Sequence, residues 1–362
     1  MIITLIIALL SLVVLMVIHE FGHFIIAKKF GVKVEEFGIG YPPRIVGKQF
    51  GETLYSINWI PFGAFVKIYG EEGGLDDYRS FSNLVIWKRV LIVLGGVIAF
   101  WLAAIVIFSV AFLIGAQAPI GDQDVQGITA THVEVLSVRN NSPAQKAGLT
   151  TGDEIKDFNK IADFQKFIEA NKGNEITINI LRHGKEMNVA LTPRVDVPQG
   201  EGPTGIALER FADIIPKVAW YQAPVQGTIY TGKVTVEALK GIYGFFASLF
   251  KGHGVPQGAQ LAGPVGITIF LSQAASLGAG FFLYFIGSLS VLLAIFNVFP
   301  IPALDGGKIV FLLFEKIFRK PVPVIWEQRI TIICFVVLIL LSFSITVFFD
   351  IPRVIDFWKA GL

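Results

Sequence analysis

The stretch His19-Glu20-Phe21-Gly22-His23 closes an almost unbroken apolar run that starts at Ile2. Residues four apart on an α-helix project from nearly the same face, so His19 and His23 can offer imidazole nitrogens to one zinc ion. Zinc lowers the pKa of a bound water, and Glu20 is placed to take its proton as general base. The same pattern also arises by chance in soluble helices. Ionisable groups inside a membrane span are costly and usually functional, so the apolar surroundings favour a metal site.

The composition is that of a membrane protein. Of the 362 residues, 53% are hydrophobic and only 16% are charged, whereas a soluble domain carries about a quarter charged residues. We therefore expect a polytopic α-helical protein that contacts the lipid bilayer. The net charge of +2 is too small to indicate nucleic acid as a partner. The single cysteine, Cys334, excludes an internal disulfide.

Four segments are long and apolar enough to be transmembrane helices. They are residues 2–27, 90–115, 281–300 and 330–349. Lysines and arginines close the first segment, open the second and lie between the third and fourth. By the positive-inside rule these connections are cytoplasmic, so both termini and the loop 116–280 are expected outside the cytoplasm. Lys28 follows His23 by five residues, which is roughly 7–8 Å of helix rise. The zinc is therefore expected inside the membrane, toward the cytoplasm.

Residues 33–70 form an insert within the N-terminal membrane part, 1–115. Its turns and β-favouring runs, such as Thr53 to Ile60, predict strands. One interpretation is a small hairpin that packs under the membrane. Another is that an edge position such as Ile68 pairs with an unwound substrate through backbone hydrogen bonds, because peptide bonds in a helix are shielded from a nucleophile.

The long loop contains a compact unit near 125–205. Ser142-Pro143-Ala144 is followed by Ala147-Gly148-Leu149 and by Gly152-Asp153-Glu154-Ile155, which predicts a short helix, a glycine stop, a turn and a strand. This pattern resembles a PDZ domain of the permuted type attached to bacterial proteases, an α+β fold. Such domains bind chain termini by strand addition. The following residues, 206–280, mix aromatic and lysine residues, which suits amphipathic helices on the membrane surface or a packed linker between domains.

The third apolar segment carries the remaining candidate ligand, in the C-terminal membrane part 281–362. The run Asn297 to Gly307 places Pro300, Pro302 and Asp305 where a spanning helix would otherwise continue. Broken backbone at membrane depth is tolerated only where it is buried in protein or lines a water-filled cavity. Two histidines and one carboxylate form a known catalytic zinc set, so Asp305 is predicted as the third ligand. Alternatively, Asp305 only caps a helix that resumes there.

Taken together, these motifs resemble the site-two protease family of intramembrane zinc metalloproteases, most closely its bacterial RseP-like branch. The resemblance spans nearly the whole chain and includes Asn58 to Lys67, which it identifies as a membrane-reentrant sheet. It implies cleavage within the transmembrane segment of a single-span membrane protein, usually after another protease has trimmed it, in a bacterial-type cytoplasmic membrane. Regulated intramembrane proteolysis and removal of leftover signal peptides are both implied.

The resemblance also places Asn297, with Pro300 and Pro302, near the scissile bond, where the Asn297 amide could hold the substrate or the oxyanion. The same amide could instead satisfy backbone groups that the two prolines leave free. Four features depart from the family. There is room for only one PDZ-like domain, Phe100 stands where an asparagine is common, and Lys308 replaces a frequent histidine. The fourth departure is Ala64-Phe65, which replaces a common Gly-Tyr.

Two other classes of function remain open at this point. A catalytically silent membrane scaffold could bind protein termini through the PDZ-like unit, but then Glu20 or the metal ligands need not be intact, and they are. A transporter could use the intramembrane acid and histidines to carry ions, as broken helices in inverted repeats do. The first half of the chain shows no matching broken segment, which disfavours a transporter.

Overall fold

The structure, a computed structural model, describes residues 2–71, 77–122, 131–182, 184–198, 202–252, 262–352 and 354. The chain divides into two compact units. The first comprises Met1–Leu113 together with Val218–Leu362, and the second comprises Ile114–Lys217. The candidate site residues all belong to the first unit.

The first unit begins with two long apolar helices that flank a β-sheet. The elements are α1 (Ile2–Lys29), β1 (Val34–Phe50), β2 (Thr53–Ile68) and α2 (Ile86–Ile114). Helix α1 extends without a break through the predicted metal motif. The prediction of a β-rich insert between the first two apolar segments is confirmed by β1 and β2.

The two helices cross in backbone contact at a pair of glycines. A Cβ atom added to Gly22 would lie 2.2 Å from the carbonyl oxygen of Gly95, and one added to Gly95 would lie 2.6 Å from that of Gly22. Real side chains do not approach so closely, so both positions require glycine. The crossing brings the α1 turn that carries His19 and His23 against α2.

The sheet is folded more tightly than a simple hairpin. Strands β1 and β2 are antiparallel, and Phe37 pairs with both Tyr55 and Val66. Bulges bend each strand, so that the part of β1 near Phe37 lies between two parts of β2. The β2 part 64–68 therefore forms one side of the sheet. The Ile68 side chain is only 5% exposed and packs in a core with Val34 and Phe81.

The second unit is an α+β domain. Its elements are β3 (Ala116–Ile120), β4 (Thr131–Val138), α3 (Pro143–Lys146), β5 (Glu154–Ile155), α4 (Ile161–Ala170), β6 (Ile176–Arg182), β7 (Lys185–Leu191) and β8 (Ile206–Ile215). They form a six-stranded sheet in the order β3-β8-β4-β5-β6-β7. The core contains alternate residues of the strands and the inner face of α4, including Val133, Phe164 and Ile178.

The boundary of this domain differs from the predicted one. The sequence predicts a linker at residues 206–215, but in the structure β8 pairs with β4 through contacts such as Leu208 with Val135, and also with β3. The alternation of inward and outward residues in β8 is too short to identify the strand in the sequence. The aromatic and lysine residues that follow it instead favour a linker. Of the predicted range 125–205, residues 125–130 lie outside the described residues.

The remaining helices return to the first unit. They are α5 (Ala223–Phe250), α6 (Pro264–Ser276), α7 (Ala279–Val298), α8 (Asp305–Phe318) and α9 (Val324–Ile345), the last continued by a π-helical turn, Thr346–Asp350. Helix α5 packs on α2, since a Cβ atom on Gly227 would lie 2.3 Å from Ser109 Oγ. Helix α6 packs against α1, where Ser272 and Thr4 share a hydroxyl hydrogen bond of 2.8 Å. In its described residues, the predicted linker 206–280 thus contains the strand β8 and the packed helices α5 and α6, and it reaches the start of α7.

Within the described residues, four helices are long and apolar enough to cross a membrane, which fits the predicted multi-pass membrane protein. They are α1, α2, α7 and α9 with its π-helical turn. Helix α7 ends at Val298 because Pro300 and Pro302 cannot donate backbone hydrogen bonds. Helix α9 begins at Val324, six residues before the predicted start at 330, directly after Pro323. Hydropathy alone missed this first turn because it contains Glu327 and Gln328.

Candidate metal centre and catalytic cavity

Three side chains meet where α1, α2 and the start of α8 converge. His19 Nε2 lies 3.2 Å from His23 Nε2. Asp305 Oδ2 lies 3.4 Å from the first nitrogen and 3.5 Å from the second. The two histidines and the aspartate that the sequence predicts as ligands are therefore brought together, although His23 and Asp305 are 282 positions apart in the sequence.

The three separations match a tetrahedral ion. With metal–ligand bonds of about 2.0–2.1 Å, zinc holds its ligand atoms about 3.3–3.4 Å apart. The observed values of 3.2, 3.4 and 3.5 Å bracket that distance. Asp305 Oδ2 is also buried and has no hydrogen-bond partner among the described residues. A buried carboxylate oxygen without a donor is unfavourable, and a bound cation would satisfy it.

The hydrogen bonding of His23 fits the same ion. Its Nδ1 lies 2.9 Å from the backbone carbonyl oxygen of Ile92 and can only donate to that oxygen. The proton is therefore on Nδ1, and the Nε2 lone pair faces His19 and Asp305. The donor set, its geometry and the tautomer of His23 all fit zinc.

Two glycines place Asp305 at this point. A Cβ atom on Gly306 would lie 2.2 Å from the carbonyl oxygens of Val298 and Phe299, and one on Gly307 would lie 2.3 Å from that of Ile301. The broken segment between α7 and α8 thus folds directly over the first turn of α8. Asp305 is the first residue of α8, but the N-cap position belongs to Leu304 and no side-chain capping hydrogen bond is present there among the described residues. The capping interpretation does not explain why Asp305 contacts both histidines, whereas a role as a metal ligand does.

Helix α2 forms the wall of the site behind the histidines. A Cβ atom on Gly96 would lie 2.4 Å from both His19 Cε1 and His23 Nε2, so no side chain fits there. One turn later, the Phe100 ring stacks on the His19 imidazole, with ring centroids 4.6 Å apart and planes inclined by 23°. The Phe100 ring thus covers one face of a metal-ligand candidate.

Glu20 faces a polar cavity of about 750 Å³ that also contains His19 and Asp305 in its wall. The Val66 backbone amide lies close to the Glu20 carboxylate. This contact places the 64–68 side of the sheet beside the predicted general base. The sequence predicted Glu20 and the strand separately, and the structure shows that they touch.

The four residues predicted to contact substrate are divided by the structure. Asn297 and Pro302 line the cavity, whereas Pro300 and Ile68 are not among its lining residues. The Asn297 side-chain amide donates to the Leu293 carbonyl oxygen at 3.0 Å. That carbonyl is one turn back in the same helix. The carbonyls that lose an amide donor because of Pro300 and Pro302 are those of Phe296 and Val298, and the first of these accepts a hydrogen bond from the Phe299 amide instead, at 3.0 Å. Satisfying the freed groups is thus not the role of this amide.

The cavity also contains polar residues that sequence reasoning missed. Glu327, Gln328 and Thr331 enter it from α9, and Glu71 enters from the end of the sheet. Glu71 Oε1 lies 2.6 Å from Lys308 Nζ, which joins the sheet to α8. The sequence does contain a pattern that predicts this start of α9. Pro323 is followed by polar residues and then by an apolar run, which is typical of a helix N-terminus and is not detected by hydropathy.

Comparison with known proteins agrees with this chemistry. Three bacterial proteins, each named "Putative zinc metalloprotease", are similar to this chain over most of their length. The protein of Clostridium perfringens is 34% identical, over 94% of this chain and 96% of its own. That of Clostridium acetobutylicum is 33% identical over the same shares, 94% and 96%. That of Campylobacter jejuni is 30% identical, over 84% and 82%.

The family model described as Peptidase family M50 matches residues 7–341, which include all three candidate ligands and the broken segment before α8. The match extends through both units of the chain. With zinc as its cofactor, this chain belongs to peptidase family M50 and is a metalloprotease of the site-two type.

Proposed function

We propose that this protein hydrolyses a peptide bond within the transmembrane segment of a single-span membrane protein. The observation that carries the proposal is the position of the ligand set. His19 and His23 lie on α1, a helix long enough to cross a membrane, and Asp305 follows the break after α7, another such helix. His23 precedes Lys28 by roughly 7–8 Å of helix rise, so the reaction would occur within the bilayer, toward its cytoplasmic side.

The proposed roles follow from the geometry. His19, His23 and Asp305 hold zinc, which supplies a Lewis acid and lowers the pKa of water. Glu20 accepts a proton at its carboxylate and passes it to the leaving amine. The backbone amide of Val66 lies beside that carboxylate and could help to orient it. Asn297, at the cavity wall, is placed to contact the substrate backbone.

The sheet is proposed to enter the membrane and receive the substrate. Its outer surface exposes large apolar side chains that water would not favour, with Trp59 67%, Ile45 55% and Ile57 51% exposed. The Val66 contact shows that the 64–68 strand lies beside Glu20. A substrate segment that unwinds and adds to this strand would therefore present its peptide bonds next to the general base.

The second unit is proposed to be a single extracytoplasmic PDZ-like domain, as in the RseP-like branch. The motif residues have clear structural roles. Ser142 Oγ accepts a hydrogen bond from the backbone amide of Gln145 and caps α3. Asp153 is fully buried and binds the Arg182 guanidinium. A substrate trimmed beforehand by another protease would offer a new chain terminus to this domain.

The decisive experiment replaces Glu20 with glutamine in the full-length protein in a bacterial membrane. Glu20→Gln keeps the side-chain volume but cannot accept a proton, so peptide cleavage should fall by about two to four orders of magnitude with zinc still bound. Single-span proteins that accumulate as trimmed fragments in this strain, identified by mass spectrometry, are the substrates.

A matched control is Glu327→Gln, which changes a carboxylate of the same cavity that does not touch the ligand set. It should retain zinc and most of the cleavage activity. Near wild-type cleavage by Glu20→Gln would show that another residue is the base. Zinc-dependent cleavage of soluble peptides only, with no membrane fragment accumulating, would contradict the intramembrane substrate.

A further inference from the structure

The two histidines of the metal site are held in different ways. The His23 ring is fixed by the hydrogen bond from its Nδ1 to the Ile92 carbonyl oxygen, at 2.9 Å. The Nδ1 atom of His19 is also buried and faces the Gly96 backbone, but it makes no hydrogen bond of good geometry with the described residues. Metal-binding histidines usually have such a partner, because it fixes the ring orientation. His19 therefore requires another means of orientation.

The ring of Phe100 lies where it can provide this. Residues 96 and 100 are one helical turn apart on the same face of α2. Gly96 leaves space for the His19 ring, and the Phe100 ring stacks on that ring at a centroid distance of 4.6 Å. The imidazole is thus confined between a backbone that has no side chain and an aromatic face.

Phe100 is itself held firmly. Its side chain is 3% exposed and belongs to a core that includes Leu15 and Leu289. Its backbone carbonyl oxygen accepts a hydrogen bond of 2.8 Å from the hydroxyl of Ser290, which is fully buried on α7. Three helices, α1, α2 and α7, therefore fix the aromatic face against which His19 rests.

We propose that Phe100 is a positioning residue for the metal site, which orients the His19 imidazole by stacking in place of a hydrogen bond to Nδ1. The proposal rests on the proposed role of His19 as a zinc ligand. It explains why an aromatic residue without polar side-chain atoms lies against a candidate metal ligand. Removing the ring would leave His19 free to rotate about its side-chain bonds, which would weaken the metal site.

The test compares zinc affinity in three full-length variants purified in detergent, measured by competition with a chelator. Phe100→Leu removes the ring and should lower affinity about tenfold, as loss of an orienting partner does. Phe100→Tyr retains the ring and should stay within about threefold of the wild-type protein. Phe108→Leu is the matched control, since Phe108 is a fully buried aromatic residue two turns further along α2 that makes an edge-to-face contact with Tyr230 instead.

A second measurement reports the ligand geometry directly. The visible spectrum of the Co²⁺-substituted protein should change in Phe100→Leu and stay unchanged in Phe100→Tyr and Phe108→Leu. If Phe100→Leu does not fold, Phe100→Met supplies a flexible side chain of similar size without a ring. Thermal unfolding of each variant separates a loss of stability from a loss of metal binding.

The possible outcomes separate this proposal from the metal assignment. Wild-type zinc affinity in Phe100→Leu, or an equal loss in Phe108→Leu, would overturn the role of Phe100. Wild-type zinc affinity in both His23→Ala and Asp305→Ala would instead overturn the ligand set on which the proposal rests.

Discussion

Gly22 of α1 and Gly95 of α2 lie in direct backbone contact, so close that neither position has space for a methyl group. Gly22 is one of the two residues between Glu20 and His23, and it has no atoms with which to bind a metal. Its importance is that it allows α2 to approach the metal-binding turn. Helix α2 then supplies the Ile92 carbonyl that fixes His23 and the Gly96 backbone beneath both rings.

Gly22→Ala should therefore destabilise the protein and impair zinc binding. Alanine normally stabilises a helix interior by about 0.5–1 kcal/mol relative to glycine, but the overlap with Gly95 should reverse the sign and cost about 1–3 kcal/mol. Thermal unfolding and zinc content of the purified protein measure both effects. Gly241→Ala is the control, because that α5 glycine has open space around it and should be neutral or stabilising. Equal behaviour of the two variants would contradict the close crossing.

The ligand set predicts the zinc content of the protein. Wild-type protein should contain close to one equivalent of zinc, measured by atomic emission, and His23→Ala or Asp305→Ala should lose most of it because two protein ligands hold the ion poorly. Gln328→Ala, which changes a polar residue of the same cavity, should retain zinc. Undiminished zinc in both ligand variants would disprove the assignment.

Substrate helices that open readily should be cleaved faster. Peptide bonds in a transmembrane helix are shielded, so glycine or proline placed near the scissile bond should increase the cleavage of a poor test substrate several-fold. The substrate is the better place for this test than the enzyme. Proline at Ile68 would disturb the core that this buried side chain shares with Val34 and Phe81. If helix-breaking residues leave the rate unchanged, strand addition is not the mode of binding.

The topology predicted from the lysines and arginines can be tested with reporter fusions. A reporter after Gly31 or after Lys320 should be cytoplasmic, and one at Asn171 should lie outside the cytoplasm. Lys320 is preferable to Gly307, because Gly307 packs against Ile301 at the metal site and a fusion there would disrupt it. An inverted pattern would place the active site toward the opposite face of the membrane.

The PDZ-like unit should lose stability in acid. Burial alone would raise the pKa of Asp153, but the Arg182 guanidinium and the Thr150 amide outweigh burial and hold that pKa below its ordinary value of 3.8. A lowered pKa in the folded state means that the ionised carboxylate stabilises the fold above pH 3.8, and that this contribution is lost as the pH falls through the folded-state pKa.

Hydrogen exchange of the β4 and β6 amides in the full-length protein, followed as a function of pH, measures this loss. Asp153→Asn should lower the stability of the unit by about 1–3 kcal/mol at neutral pH, because it leaves Arg182 without its charged partner. It should also flatten the acid dependence. An unchanged pH profile in that variant would show that other groups are responsible.

The sequence by itself determined the chemistry and the membrane setting. The four-residue spacing of His19 and His23 on a helix puts two nitrogens on one face, and the length and polarity of the apolar runs indicate four candidate spans. The prolines before Asp305 fix a break in the third span. These are local properties of the chain, so a single sequence is enough to predict them.

Only the tertiary structure decided how the site is completed. That Asp305 lies within 3.5 Å of both histidines, that Val66 contacts Glu20, and that Phe100 stacks on His19 are contacts between elements distant in sequence. Such contacts depend on how closely two backbones approach, and here glycines allow the close approach. A glycine in the sequence does not indicate which other segment will pack against it. The polar first turn of α9 was missed for the same reason: its residues join the site through packing, while hydropathy measures only composition.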